Sequence, residues 1–398
     1  MVDAALDPVA VLSDLVRIDS VNPDLVPGAA GERAIVDHCA AWLREHVAPL
    51  IADERFEITD VGSPERPSLV LRVRGTEEGG GLLLNAHLDT VGVESYRGDA
   101  FSGRVDQGRV LGRGSFDTKS GAAAALVAMA RTLSHGALAR DLVLTLVADE
   151  EFGSTGTSAT LAHLAERGVV PATGIVLEPS ALELTIAHRG FAWFEVEVFG
   201  LAAHGSMPEQ GVDALRVARA LLRELDDLEE QLAAAPQHPL LGTGAVRVAT
   251  MTGGSEAATV ADRCQLVIER RTVPNESIDD AETDLRQRLA RALQVQPGSR
   301  GELRRQVGRE AFEVSESSVV VPALARALAT ATGTETRYRG EPFWTDARLV
   351  HEAGIDCVVV GVDGGGAHAD EEWAEVASLE SLTAALEQSI RELCALRG

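Results

Sequence analysis

Residues 82–91 read LLLNAHLDTV and predict both a type of fold and a type of site. The segment Leu82–Ala86 is short and mostly apolar and follows a run of glycines, which is typical of a strand buried inside a sheet. Two residues able to carry chemistry, His87 and Asp89, come directly after it. The stretch therefore predicts a buried strand that delivers polar side chains at its carboxyl end.

Segments of the same kind recur through the first half of the chain, at Ser68–Val73, Leu142–Ala148 and Gly174–Leu177. Two helices are predicted before or between these strands. Glu32–His46 shows helical periodicity, and Gly121–Leu133 has an alanine-rich composition that suits a helix. Alternation of buried strands with helices indicates an α/β fold with a mostly parallel central sheet flanked by helices.

The pattern changes after Glu178. Residues 192–199, AWFEVEVF, alternate apolar and polar side chains with the period of a half-exposed strand. The elements predicted to follow are a helix at 212–232, strands at 244–251 and 264–271, and a helix at 278–293. This order, βαββα, indicates a smaller α+β unit of βαββαβ-like type, with two helices on one face of an antiparallel sheet.

The last hundred residues return to the first pattern, with a helix at 319–332, an apolar strand at 357–362 and a terminal helix at 379–396. We therefore predict one discontinuous α/β domain, residues 1–187 and 298–398. An inserted α+β domain, residues 188–297, interrupts it.

Composition excludes several classes of protein. Lys and Arg number 36 against 61 Asp and Glu, a net charge of −25 that repels phosphate backbones, so neither nucleic acid nor an anionic membrane is expected as a partner. The sequence has no signal-like start and no apolar stretch long enough to cross a bilayer, so a cytoplasmic location is expected. Four cysteines lie far apart without a C-x-x-C pair, which indicates free thiols.

Polar residues gather at the predicted strand ends. Six residues each lie directly after a predicted strand or in the loop that follows one: His87, Asp89, Asp117, Glu150, Glu151 and Glu178. His368 follows the 357–362 strand across three glycines. Since ligand sites of open α/β sheets lie beyond the carboxyl ends of the strands, these side chains are expected to converge. Carboxylates brought together repel one another unless a cation neutralises them. Imidazole and carboxylate ligands suit Zn²⁺, Co²⁺ or Mn²⁺ better than Mg²⁺ or Ca²⁺.

Six motifs in this order and spacing resemble those of the M20 metallopeptidase and deacylase family: LLLNAHLDTV, GRGSFDTKSGAAAAL, LVADEEFGSTGT, IVLEPS, GLAAHGSMPEQGVDAL and GAHADEEW. The family includes acetylornithine deacetylases, succinyl-diaminopimelate desuccinylases, aminoacylases and glutamate carboxypeptidases. The resemblance covers nearly the whole chain.

The resemblance implies two divalent metal ions per chain, most often zinc, with cobalt or manganese as alternatives. Asp117 would bridge both ions, His87 and Glu178 would complete one site, and Glu151 and His368 the other. Asp89 resembles the carboxylate that orients a ligand imidazole. Glu150 resembles the general base, and the peptide bond between Asp117 and Thr118 is expected to be cis.

The implied reaction is hydrolysis of an amide bond in an N-acyl amino acid or small peptide by metal-activated water. The family's oxyanion-binding histidine matches His204, which in relatives often acts across a dimer interface. The inserted domain would then be a lid and dimerisation domain, and a homodimer is expected. Arg271 would grip the substrate carboxylate, and its neighbour Arg270, on the opposite strand face, is expected to be solvated. Ala258 stands near the position of a common family asparagine.

Alternative functions stay open at this point. The glycines of GRGSFD favour a dinucleotide-binding site only weakly, because the third glycine of that motif is missing. A non-catalytic, metal-dependent binding protein on the same fold would be signalled by loss of the base or a ligand, and both are present. An aminopeptidase acting on unblocked dipeptides is the third alternative.

Overall fold

The computed structural model describes residues 6–395, which form two compact units. Unit 1 comprises the described residues up to Ile186, Val314–Arg339 and the described residues from Thr345 onward. Unit 2 comprises Ala187–Glu313 and Gly340–Trp344. The predicted end of the last helix at residue 396, and the outermost residues of the predicted domain, lie outside the described residues.

The α-helices have these bounds: α1 (Pro8–Val16), α2 (Arg33–His46), α3 (Lys119–Leu133), α4 (Thr155–Glu166), α5 (Ala214–Ala234), α6 (Ile278–Leu293), α7 (Val320–Thr332), α8 (Ala347–Glu352) and α9 (Val376–Leu393). Short 3₁₀ helices occur at Ala48–Leu50, Asp53–Arg55 and Pro208–Gln210.

The strands have these bounds: β1 (Phe56–Gly62), β2 (Pro67–Val73), β3 (Leu82–His87), β4 (Arg104–Asp106), β5 (Arg109–Leu111), β6 (Leu142–Val147), β7 (Thr173–Val176), β8 (Leu184–His188), β9 (Gly190–Phe199), β10 (Ala245–Gly253), β11 (Arg263–Thr272), β12 (Arg300–Arg309), β13 (Phe312–Glu313), β14 (Tyr338–Glu341), β15 (Asp356–Val359), β16 (Gly364–Gly365) and β17 (Trp373–Glu375).

The main sheet has the strand order β1-β2-β6-β3-β7-β15-β8. Its centre is parallel, since β3 pairs in parallel with β6 and β7, and β7 with β15. Antiparallel strands flank this centre. Every residue of β3, β6 and β7 is buried, as expected for apolar strands covered on both faces. The α/β prediction is confirmed.

Unit 2 contains an antiparallel sheet with the order β10-β11-β9-β12. Alternate residues of β9 are fully buried in the core that α5 and α6 share with the sheet: Ala192, Phe194, Val196 and Val198. The order β9-α5-β10-β11-α6-β12 matches the predicted βαββαβ-like pattern. The predicted insertion ends at residue 297, whereas unit 2 extends to Glu313 because β12 pairs along β9.

A small sheet in unit 1 has the order β16-β17-β5-β4. It joins two distant parts of the chain, because β17 pairs with β5 over Trp373–Glu375 and Arg109–Leu111. Gly366, just after β16, has φ 80°, and a Cβ there would overlap the carbonyl oxygen of Glu371. A glycine is therefore required at this turn.

All four cysteines are buried free thiols, as predicted. Within residues 6–395, no helix combines the length and the apolar character that crossing a membrane would demand.

Candidate metal centre

Three neighbouring strands of the main sheet deliver five of the polar side chains. His87 ends β3 and Asp89 follows it, Glu150 and Glu151 follow β6, and Glu178 follows β7. Because β6, β3 and β7 are adjacent and parallel, their carboxyl ends meet at the same edge of the sheet. Residues about 90 positions apart are brought together in this way, as the sequence predicts.

The small sheet brings in the other two residues. Asp117 lies in the loop from β5 to α3, and His368 lies in the loop between β16 and β17. Since β17 pairs with β5, both loops emerge close together. The peptide bond between Asp117 and Thr118 is cis, as the resemblance implies, and His368 has a left-handed backbone with φ 58°.

Two groups of potential ligands share one carboxylate. In the first group, Nε2 of His87 lies 3.2 Å from Oδ1 of Asp117 and 3.7 Å from Oε2 of Glu178. In the second group, Nε2 of His368 lies 3.3 Å from Oδ2 of Asp117 and 3.0 Å from Oε2 of Glu151. Each oxygen of Asp117 thus faces a different imidazole.

Burial raises the pKa values of the three glutamates in this cluster, Glu150, Glu151 and Glu178, above their ordinary range. Burial raises the pKa of Glu178 to about 7, although His87 opposes the change. Burial and then the charge of Glu178 raise the pKa of Glu150 well above its ordinary value. The hydrogen bonds that the His368 ring donates to the carboxylates of Asp117 and Glu151 raise its pKa to about 10. Positive charge is therefore needed at this cluster, and divalent ions would supply it in place of protons.

The donor set fits such ions. Nδ1 of His87 lies 2.9 Å from the backbone carbonyl oxygen of Asp89, which accepts a hydrogen bond when that nitrogen carries the proton. The Nε2 lone pair of His87 then faces Asp117 and Glu178, which is how a metal-ligating histidine is usually held. Nitrogen and carboxylate oxygen donors together suit zinc, cobalt or manganese.

The side chain of Asp89 has a different set of contacts from the one the resemblance implies. Its carboxylate lies 3.7 Å from Nδ1 of His87, beyond hydrogen-bond range. It instead accepts the backbone N–H groups of Glu150 and Glu151, at 3.0 and 3.2 Å. Asp89 thus orients His87 through its carbonyl oxygen and holds the loop of Glu150 through its carboxylate.

Three buried residues that sequence reasoning did not select also contact this cluster. Asn22 donates to the carboxylates of Asp89 and Asp149, at 2.8 and 3.2 Å. Glu372 accepts the backbone N–H of Asp117 and pairs with Arg113. Arg113 and Glu372 lie inside the motifs GRGSFD and GAHADEEW, so their closeness to Asp117 and His368 in sequence was an available signal. Asn22 carried no such signal.

The remaining two predicted site residues belong to unit 2. His204 is exposed, and its Nδ1 accepts the backbone N–H of Ser206 at 3.2 Å. In the neutral ring the proton is then on Nε2, which can donate to a ligand. A histidine with a purely structural role in this turn would make the same bond to Ser206.

Arg271 is half-buried, with Nε donating to Glu269 at 2.7 Å and its guanidinium 5.3 Å from the ring centroid of Phe191. The expectation that Arg270 is solvated was wrong. Arg270 is 1% exposed and pairs with Glu276, because its strand face turns into unit 2 rather than toward water.

Comparisons with known proteins identify the family. Residues 83–392 match the model of peptidase family M20/M25/M40. An acetylornithine deacetylase of Myxococcus xanthus is 30% identical over 398 residues, covering 97% of both chains.

Solved structures share the fold. A tripeptidase of Staphylococcus aureus has a TM-score of 0.75 at 19% identity and covers 98% of this chain and 99% of its own. A protein of Bacillus subtilis described as a dinuclear metal-binding peptidase of family M20 has a TM-score of 0.71 at 16% identity, covering 98% and 99%. The resemblance inferred from the motifs is confirmed: the chain belongs to peptidase family M20/M25/M40, whose members hydrolyse amide or peptide bonds.

Proposed function

We propose that this chain hydrolyses the amide bond of an N-acyl amino acid or small peptide with the help of two divalent ions, zinc in the first place and cobalt or manganese as substitutes. One ion would be held by His87, Asp117 and Glu178, and the other by Asp117, Glu151 and His368. The observation that carries the proposal is the placement of the Asp117 oxygens, one 3.2 Å from His87 and the other 3.3 Å from His368.

When bound, such ions supply Lewis acidity and make a water molecule acidic enough to ionise near neutral pH. Glu150 belongs to neither ligand group, yet it adjoins Glu151 and its backbone is fixed by Asp89. We assign Glu150 the role of general base: it takes a proton from the attacking water and returns it to the leaving amine. A carboxylate whose burial raises its pKa is suited to hold that proton between the two steps.

Substrate recognition is assigned to unit 2. Arg271 would bind the substrate carboxylate with its two Nη groups, since Nε is already engaged by Glu269. Nε2–H of His204 would stabilise the oxyanion, in this chain or in its partner within a homodimer. Ala258 cannot supply the carbonyl contact that an asparagine would make. A cytoplasmic location is part of the same proposal.

The function is tested with metal-free protein reloaded with zinc, cobalt or manganese. The substrates are acetylornithine, succinyl-diaminopimelate, other N-acyl amino acids and unblocked dipeptides. We expect hydrolysis of an N-acyl amino acid that disappears on chelation and returns with metal. Cleavage of unblocked peptides alone would support an aminopeptidase. Binding of two ions without any turnover would support a binding protein.

Replacing His204 by alanine is expected to lower kcat by about 10²-fold to 10³-fold, the usual effect of losing one oxyanion donor. Metal content should stay near two per chain, because His204 belongs to neither ligand group. Steady-state kinetics and metal analysis on the same sample measure both effects.

His238→Ala is the matched control for this variant. His238 also lies in unit 2 and also accepts backbone N–H groups of its own turn, from Leu240 and Leu241. If both variants lose kcat by the same small factor, His204 has only a structural role in its turn and does not stabilise the oxyanion.

Replacing Asp89 by alanine is expected to weaken metal binding or activity by about 10-fold to 100-fold, as for other residues that support ligands. The change leaves the backbone N–H groups of Glu150 and Glu151 without their acceptor. Asp141→Ala is the control, because Asp141 likewise accepts a backbone N–H, that of Gly75, and pairs with Arg72. If both variants lose stability but neither loses activity, Asp89 has no special role at the site.

A further inference from the structure

We propose that Glu372, together with Arg113, is a positioning residue that sets the distance between the loops carrying Asp117 and His368. The inference rests on the proposed two-ion function and identifies side chains that control one of its two sites. Neither residue belongs to a ligand group, and each is 1% exposed.

The carboxylate of Glu372 accepts hydrogen bonds from four donors in the loop that leads to Asp117. Oε1 accepts the backbone N–H of Phe116 at 2.9 Å and that of Asp117 at 3.0 Å. Oε2 accepts the N–H of Gly114 at 3.1 Å and Nη1 of Arg113 at 2.6 Å. One carboxylate thus fixes the backbone of the residue shared by both groups.

Arg113 extends the contact to the other loop. Its Nη2 donates to the carbonyl oxygen of Ala369, at 2.7 Å, and Ala369 directly follows His368. Its guanidinium also lies 5.3 Å from the ring centroid of Tyr96, whose hydroxyl contacts the backbone of Glu372. Arg113 and Glu372 therefore connect the Asp117 loop to both ends of the segment that runs from His368 to Glu372.

Glu372 and Arg113 together form a clamp between the two loops. The two ligand groups depend on this clamp to different degrees. The second group takes two of its members, Asp117 and His368, from the clamped loops. The first group takes only Asp117 from them, since His87 and Glu178 follow strands of the main sheet. Loosening the clamp should therefore weaken the second site more than the first.

The test measures metal affinity, not turnover. Metal-free Glu372→Gln protein is titrated with Co²⁺ against a competing chelator, and the visible absorption of bound Co²⁺ gives two dissociation constants. His87→Ala and His368→Ala proteins show which binding step belongs to which group. We expect Glu372→Gln to weaken the step lost in His368→Ala by about 10-fold to 100-fold, and the other step by a smaller factor.

Glu276→Gln is the matched control. It removes the charge beside Arg270, another arginine that is 1% exposed, in unit 2. It should lower the melting temperature and leave both dissociation constants unchanged. Glu372→Gln with both constants unchanged, or with both weakened by the same factor, would overturn the inference.

Arg113→Lys keeps the test decisive if Glu372→Gln does not fold. Lysine retains the positive charge, but a single ammonium does not reproduce the forked contact to Glu372 and Ala369. It should weaken the same binding step, and unchanged constants would overturn the inference. If the unaltered protein binds fewer than two ions, the proposed function itself fails. If it binds two ions and the variants bind them with unchanged dissociation constants, only the role of Glu372 and Arg113 fails.

Discussion

Replacing Glu150 by glutamine is expected to reduce kcat by about 10²-fold to 10⁴-fold, the range typical of removing a general base. Glutamine has nearly the same shape and can occupy the same space, but its amide cannot take a proton from water. The backbone N–H of residue 150 would still be held by Asp89, so the loop should keep its conformation. The measurements are kcat and metal content on one preparation.

Metal content near two per chain distinguishes a base from a ligand. If Glu150→Gln loses one ion together with turnover, Glu150 belongs to the ligand shell rather than to proton transfer. Glu150→Asp offers a second comparison, since it keeps the carboxylate but shortens its reach by one methylene. It should retain more activity than glutamine, and equal losses would argue against proton transfer at this position.

Much of the fold could be predicted because local and tertiary preferences agree. The predicted bounds of α6, Ile278–Leu293, are those of the structure, since Ser277 and Asp280 form a capping box ahead of an amphipathic helix. The apolar strands β3 and β6 were predicted because burial on both faces removes any need for polar side chains.

Strand β12 could not be predicted in the same way. Its sequence, RGELRRQVGR, has few apolar residues and no clear alternation. It is a strand because β9 offers it a register of backbone hydrogen bonds at the edge of the unit 2 sheet. Such pairing depends on tertiary structure, so the composition of this segment does not locate the final strand of the predicted βαββαβ-like pattern.

The residues of the candidate site likewise differ in how far the sequence alone could group them. His87, Glu151 and Glu178 could be grouped from the sequence because parallel neighbouring strands end at one edge. Asp117 and His368 were expected to join them, but how these two residues approach each other could not be predicted, since it depends on pairing between β5 and β17, which are three residues each. The clamp by Arg113 and Glu372 depends on side-chain torsions at that small sheet, and no periodicity in the sequence encodes them.

Replacing Asp117 by asparagine is expected to weaken metal binding more than any other single change at the site, because Asp117 alone belongs to both groups. Burial alone would raise the pKa of Asp117, but hydrogen bonds from His368 and His87 hold it below its ordinary range, so the residue is a carboxylate at neutral pH. Asparagine removes that charge from both groups at once. Both ions should bind more weakly, and turnover should fall by at least about 10³-fold, because metal assistance is worth several kcal/mol.

His87→Ala and His368→Ala provide the comparison that makes this prediction specific. Each removes a ligand from only one group, so each should weaken mainly one binding step, whereas Asp117→Asn should weaken both. Asp141→Asn, at a part-buried aspartate outside both groups, should change neither. If Asp117→Asn weakens a single step and leaves the other as in the unaltered protein, the two oxygens of Asp117 do not serve two ions. The two-ion function would then have to be replaced by one that needs a single metal.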